Sequence, residues 1–250
     1  GDVYKRQVQA SGKFENILLP VNRGGSNLFV NSLLEDTARQ CIWIGMEGYL
    51  FQYNPTTGEM KAIEVFHNNS IKSLALDGDE NLLAGTDNGL YVYQNDKEPL
   101  QHIIHDSRNI QSLTNNIIWN IFSDQEHNIW LGTDYGISLS RYNSALQFVP
   151  ISQITGTGDG NQFYSLFRDS KGFYWFGGTN GVIRFTHPAG NKHDAIWYRM
   201  GDKKHPLSHN RIRHIYEDRE QQLWIATDGS INRYDYNTHQ FVHYNIVDST

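Results

Sequence analysis

SDQEHNIWLGTDYGISLSRY, from Ser123 to Tyr142, and EDREQQLWIATDGSINRY, from Glu217 to Tyr234, are two copies of one phrase. An apolar strand closes on an Asp, a Trp opens a second strand six residues later, and a small residue follows two places on. A Gly-bearing turn then leads to a third strand ending in Arg-Tyr. Weaker copies surround Trp43, Leu83 and Trp175, and the aspartates Asp36, Asp77, Asp124, Asp169 and Asp218 fall 41, 47, 45 and 49 residues apart. A period of about 40 to 50 residues with strand patterning in each copy is the signature of a propeller built from four-stranded blades.

The residue types fit that role. Trp43, Leu83, Trp130, Trp175 and Trp224 supply bulk to fill the space between blades, and Gly45, Gly85, Gly132, Gly177 and Ala226 admit the neighbouring backbone. Gly48, Gly89, Gly136, Gly181 and Gly229 are expected to provide the positive φ of the following hairpin. Third strands should end near Tyr53, Tyr93, Tyr142, Phe185 and Tyr234, and the irregular runs MKAIEVF, LQHIIH, LQFVPI, AIWYRM and QFVHYNI should be outer strands facing water. The fold class is thus all-β, a propeller of about five four-stranded antiparallel blades at about 29–67, 70–105, 116–152, 162–200 and 211–247. A lone outer strand at 13–20 precedes them, so the array opens in mid-blade: an upstream blade is missing, which makes it a fragment of a larger propeller and is the expectation here, or this strand closes a ring by pairing with another blade. Residues 1–12 lack both periodicity and turn chemistry and are expected to be a non-native or disordered leader.

Bulk properties narrow the function. The 250 residues carry a formal net charge of −6 with no Lys/Arg cluster, which argues against a nucleic-acid footprint. No run approaches the about 18 apolar residues of a membrane span, so any membrane attachment lies in parts of the parent chain outside this sequence. The single cysteine, Cys41, stands beside Ile42 and Trp43 and reads as a small buried apolar residue.

Two connections between blades match across two repeats: SLTNNIIWNIFSD (Ser112 to Asp124) and PLSHNRIRHIYED (Pro206 to Asp218), at a constant offset of 94 residues. With IWLGTDYG and LWIATDGSINRY, they resemble the two-component regulator propeller repeat. The resemblance extends from about Phe14 to Asp248, with Leu83 for Trp and Ala226 for Gly as departures that keep the size class. It implies a piece of the periplasmic, extracytoplasmic sensor of a Bacteroidetes hybrid histidine kinase, an inner-membrane protein. Such sensors detect glycan breakdown products to regulate polysaccharide utilisation. The parent would be a histidine kinase; the piece itself would bind an oligosaccharide or other small polar ligand, as a homodimer, without a cofactor.

The residues leave other readings open: a protein-binding scaffold with an apolar patch at Phe148 to Ile154 or Ile196 to Met200, or a propeller glycosidase or lyase. Equivalent aspartates at five turns read as acceptors of backbone N–H groups and not as a catalytic pair. His239 with His243, and His102 with His105, have the wrong spacing or facing for a metal site within one segment. Trp119 and Trp197 fall outside the register of the other tryptophans and are free for another role. The loops joining fourth to first and second to third strands share one propeller face, which should carry Asn68, His105, Arg108, Asn116, Asn161, His209, Asn210 and Arg211 with Asp87, Asp134, Tyr135, Asn180 and Asp228. Among these, Arg108, Tyr135, Asn161, His209 and Arg211 are the candidate ligand contacts.

Overall fold

A computed structural model of the chain describes residues 4–8, 13–21, 29–63, 69–94, 101–143, 148–150, 152, 161–186 and 194–244. It divides into two compact units, Gly1–Ile71 and Lys72–Thr250. In the first, β1 (Tyr4–Val8) and β2 (Lys13–Ile17) form an antiparallel pair. Strands β3 (Val30–Asp36), β4 (Cys41–Met46), β5 (Tyr49–Tyr53) and β6 (Met60–Ile63) form a four-stranded blade. Ile17, Leu19 and Val21 pack on the Ile44, Met46, Phe51 and Tyr53 core of this blade.

Four more blades follow. They comprise β7 (Ile71–Leu76), β8 (Leu82–Thr86), β9 (Gly89–Tyr93) and β10 (Gln101–Ile103), then β11 (Ile118–Ser123), β12 (Ile129–Thr133), β13 (Ile137–Ser140) and β14 (Phe148–Pro150). The fourth has β15 (Phe163–Arg168), β16 (Tyr174–Gly178), β17 (Gly181–Phe185) and β18 (Ile196–Tyr198), and the fifth β19 (Ile212–Glu217), β20 (Leu223–Thr227), β21 (Ile231–Asp235) and β22 (Gln240–Tyr244). Every sheet is antiparallel in sequence order, so the chain is the all-β, five-bladed propeller array that the repeat predicts.

The spaces between blades fill as the repeat requires. Trp130 and Trp175 are fully buried, the first among Phe163, Tyr174, Phe176 and Phe185, the second among Tyr198, Ile212, Ile215 and Tyr234. The small residues meet the next inner strand: a Cβ at Gly85 would lie 2.6 Å from Ile118 Cγ2, and one at Gly132 would lie 2.6 Å from the Phe163 carbonyl oxygen. Arg184 is buried between blades 4 and 5, its guanidinium over the rings of Phe173, Trp175 and Tyr234 and bonded to the Tyr234 hydroxyl.

The repeated aspartates do more than close turns. Asp124 Oδ1 accepts the backbone N–H groups of Glu126 and Asn128, while Oδ2 accepts the Trp130 indole N–H at 2.9 Å and the Tyr174 hydroxyl of the next blade at 2.9 Å. Trp43 to Asp36, Trp175 to Asp169 and Trp224 to Asp218 repeat the indole bond, and Tyr236 reaches Asp169 from blade 5. In blade 2, where Leu83 supplies no indole N–H, the Asn81 amide donates to Asp77 Oδ2, as the Asn128 amide does to Asp124 Oδ2 in blade 3. Each turn also holds a residue with positive φ just before the second strand: Gln40, Glu80, His127, Gly172 and Gln221.

Two expectations need correction. Gly48, Gly89, Gly136 and Gly181 have positive φ, but Gly229 does not: it stands one place earlier, where blade 3 has Tyr135. Ser230 takes the place of Gly136, since Thr227 N–H bonds Ser230 O as Thr133 N–H bonds Gly136 O. Tyr142 lies beyond β13, which ends at Ser140, and packs beside His127.

Burial pushes the Asp124 carboxyl up, yet the bonds from Trp130, Asn128 and Tyr174 outweigh it and hold it below the ordinary carboxylate range; Asp36 and Asp218 are likewise lowered. A carboxyl lowered in the folded state contributes stability that is present above its unfolded value of about 4 and is lost as pH falls through the folded value. Urea unfolding is therefore expected to show a stability plateau near neutrality and a decline below about pH 4. At neutral pH, Asp124→Asn is expected to lose about 2–3 kcal/mol, the worth of hydrogen bonds to a buried charged acceptor, and to flatten the acid limb. Gly132→Ala should cost about 1–3 kcal/mol by overpacking against the Phe163 carbonyl.

Candidate functional site

One frame recurs where the connection into each inner strand meets a turn between second and third strands. An asparagine carbonyl accepts the N–H of the turn glycine: Asn69 from Gly48, Asn116 from Gly89, Asn161 from Gly136 and Asn210 from Gly181. The residue after it accepts the N–H at the first turn position, as Ile117 does from Asp134, Gln162 from Thr179 and Arg211 from Asp228. The asparagine side chains are engaged as well. Asn116 Oδ1 accepts His105 N–H, Asn210 Oδ1 accepts Met200 N–H, and Asn161 Oδ1 accepts Asn180 N–H and the Thr179 hydroxyl.

The third residue after each of these asparagines differs from blade to blade: Lys72, Trp119, Tyr164 and Arg213. In blades 3, 4 and 5 it falls at a break in the pairing of first and second strands, between Ile118 and Asn120, Phe163 and Ser165, and Ile212 and His214. A bulge re-aims the extra side chain out of the ladder. Here the re-aimed groups meet one another.

Lys72 Nζ stands 4.6 Å from the centre of the Trp119 ring, which meets the Tyr164 ring edge-on at 5.3 Å. The Trp119 indole N–H donates to Asp134 Oδ1 at 3.0 Å, and the Gln162 amide donates to the same oxygen at 2.6 Å. Tyr164 donates its hydroxyl to Gln162 Oε1, and the Arg211 guanidinium lies 5.9 Å from the Tyr164 ring centre. Arg213 forks onto Asp228 through Nε and Nη2, and that hydrogen bond holds the Asp228 carboxyl below its ordinary value. An aromatic pair inside a polar network drawn from four blades suits a ligand with one apolar face and many hydroxyls.

Three segments of the chain, residues 112–135, 157–180 and 206–229, match the family model described as two-component regulator propeller. The chain thus carries two-component regulator propeller repeats. An extracellular domain from B. thetaiotaomicron, solved twice and described once as part of a one component system and once as part of a hybrid two component system, is 82% and 83% identical over 98% of this chain at a TM-score of 0.54. This propeller therefore lies outside the cytoplasm, and it spans 33% of that relative's length. A second extracellular domain of a hybrid system from the same bacterium is 18% identical, covering 88% of this chain and 30% of its own at a TM-score of 0.70. Virginiamycin B lyase of Staphylococcus aureus is 12% identical over 97% of this chain and 77% of its own, also at 0.70. These last two likenesses are of fold alone. No curated protein matches the chain.

The residues singled out from the sequence divide. Arg211 joins the aromatic pair of this propeller, and His209 stands beside it, its Nδ1 accepting Arg211 N–H at 3.0 Å. Tyr135 is 55% exposed at the tip of the blade 3 turn. Arg108 pairs with Asp106 in its own loop with 89% of its side chain exposed. Asn161 is 3% exposed and belongs to the frame. Asn68 lies outside the described residues. Trp197 packs on the blade 4 core under Arg199, while Trp119 joins the network. Of the two apolar patches, Phe148 is buried, and Ile196 and Met200 are exposed on either side of buried Tyr198. Lys72, Gln162, Tyr164 and Arg213 were missed because each occurs once; counting three residues on from the asparagine would have found three of them.

Because Asn161 Oδ1 holds two donors inside the frame, Asn161→Ala is expected to cost about 1–3 kcal/mol in urea unfolding. Arg211→Ala, whose guanidinium is exposed, should leave the unfolding midpoint within about 0.5 kcal/mol of the parent.

Proposed function

We propose that this chain is the ligand-reading part of the extracytoplasmic sensor of a hybrid two-component histidine kinase, and that it takes an oligosaccharide at the Trp119–Tyr164 network. The observation that carries this reading is the edge-on aromatic pair whose polar rims are tied into Asp134 and Gln162 across two blades. A sugar ring offers C–H groups to aromatic rings and hydroxyls to amides and carboxylates, so this combination fits it chemically. Likeness to an extracellular domain described as part of a hybrid two-component system supports the sensor role. The kinase activity, the membrane anchor and a homodimer that relays binding as altered packing belong to the parent protein.

A propeller hydrolase or lyase receives less support, because the two carboxylates of the network already hold neighbours, Asp134 through Oδ1 to Trp119 and Gln162 and Asp228 through both oxygens to Arg213. The test is isothermal titration of the purified chain with a panel of neutral and acidic di- and trisaccharides, repeated with Trp119→Ala. At least one sugar should bind the parent, and the variant should lose about tenfold or more of that affinity, as hot-spot aromatic truncations do, while keeping the parent's circular dichroism. Equal affinity in the variant would move the site away from Trp119.

A further inference from the structure

In blades 3 and 5 the residue at the strand break pairs with the first turn residue of its own blade. In blade 5 Arg213 uses both oxygens of Asp228, Oδ1 through Nε and Oδ2 through Nη2. Blade 3 differs: Trp119 and Gln162 both donate to Oδ1 of Asp134, and Oδ2 takes no donor among the described residues. The Asp134 backbone is fixed by its N–H bond to Ile117 O at 2.9 Å, and its side chain by two donors from different blades. This is a preorganised acceptor with one open oxygen, beside an aromatic pair.

We propose that Asp134 determines specificity at this site, its open oxygen accepting a pair of neighbouring hydroxyls from an uncharged sugar ring seated against Trp119 and Tyr164. The inference rests on the oligosaccharide reading above and adds to it the part of the ligand that is read. Both donors already on Asp134 are neutral N–H groups, so its hydrogen-bonding partners offset no second negative charge. The cations nearby are placed elsewhere: Arg213 is committed to Asp228, while Lys72 and Arg211 stand over the rings of Trp119 and Tyr164. A ligand carboxylate at Oδ2 would meet like charge; a hydroxyl pair brings the donors that the oxygen lacks. A site built to bond hydroxyls also rejects analogues without them, since its polar groups are then left unpaired.

The probes are neutral disaccharides of glucose, galactose, mannose, xylose and arabinose, their uronate-containing counterparts, and singly deoxygenated forms of whichever neutral sugar binds, all titrated calorimetrically against the parent, Asp134→Asn, Trp119→Ala and the pair Lys72→Met with Arg211→Met. The expected result is a neutral sugar that binds the parent, loses about tenfold or more with Asp134→Asn, loses a similar factor when one of two adjacent hydroxyls is removed, and tolerates the Lys72 and Arg211 changes better than either. Asparagine keeps the size of aspartate, and a parent-like unfolding midpoint certifies the variant. Binding that needs Trp119 but survives Asp134→Asn would overturn this inference alone. So would preference for a uronate sugar that depends on Lys72 and Arg211. Failure of every sugar to bind would overturn the oligosaccharide reading and this inference together.

Discussion

A carboxylate at the end of each inner strand, buried in blades 1, 3 and 4 and half-buried in blades 2 and 5, is the constraint on which the rest of this fold depends. Taking a carboxylate out of water costs several kcal/mol unless its lone pairs are filled. Around Asp124 they are filled by two turn N–H groups, the Asn128 amide, the Trp130 indole and the Tyr174 hydroxyl. The same group thereby closes the first turn of its blade, fixes the ring that fills the space beside it, and ties that ring to the next blade. Loss of any donor leaves a buried charge short of a partner, so the Asp, the Trp and the turn form one unit. Blade 2 is the looser case: Leu83 supplies bulk but no N–H, and the half-buried Asp77 has the Asn81 amide on Oδ2, the same bond that Asn128 makes to Asp124 beside the indole.

That unit is legible in the sequence because it recurs, and recurrence also marks what is structural. Asp36, Trp43 and Gly45 with their copies could be aligned by eye, and the bond between Asp and Trp at six or seven residues is the part that spacing alone did not reveal. The asparagines recur in the same way. Asn116, Asn161 and Asn210 were grouped with ligand-facing residues for their chemistry, yet their periodicity put them in the same class as the aspartates. Gly229 shows the opposite error, a glycine aligned by type when the hydrogen bonds align Ser230 with Gly136.

Function is hard to read in a repeat protein for the same reason. The variable positions are single in kind, so no internal comparison flags them: Lys72, Trp119, Tyr164 and Arg213 share a place but no chemistry. Trp119 stood out only because tryptophan is otherwise reserved for the core. What unites the four is backbone geometry. In blades 3 to 5 the break in strand pairing sits at a fixed distance from an asparagine clamped to the preceding turn, so the frame delivers whatever side chain the sequence supplies to one face.

This arrangement joins the candidate site to packing between blades. Asp134 belongs to the turn of blade 3, Gln162 to the connection entering blade 4, and Tyr164 to the inner strand of blade 4, so a ligand drawing on all three touches groups whose relative positions are set by the contact between those blades. That contact is itself tight: a Cβ at Gly132 would crowd the Phe163 carbonyl, and Trp130 is locked to Asp124 beside Tyr174. Close-packed interfaces respond to strain by shifting as bodies and not by local yielding. Strain placed on the network would therefore bear on the packing between blades 3 and 4, because Asp134 of one blade and Gln162 of the connection into the next share its hydrogen bonds.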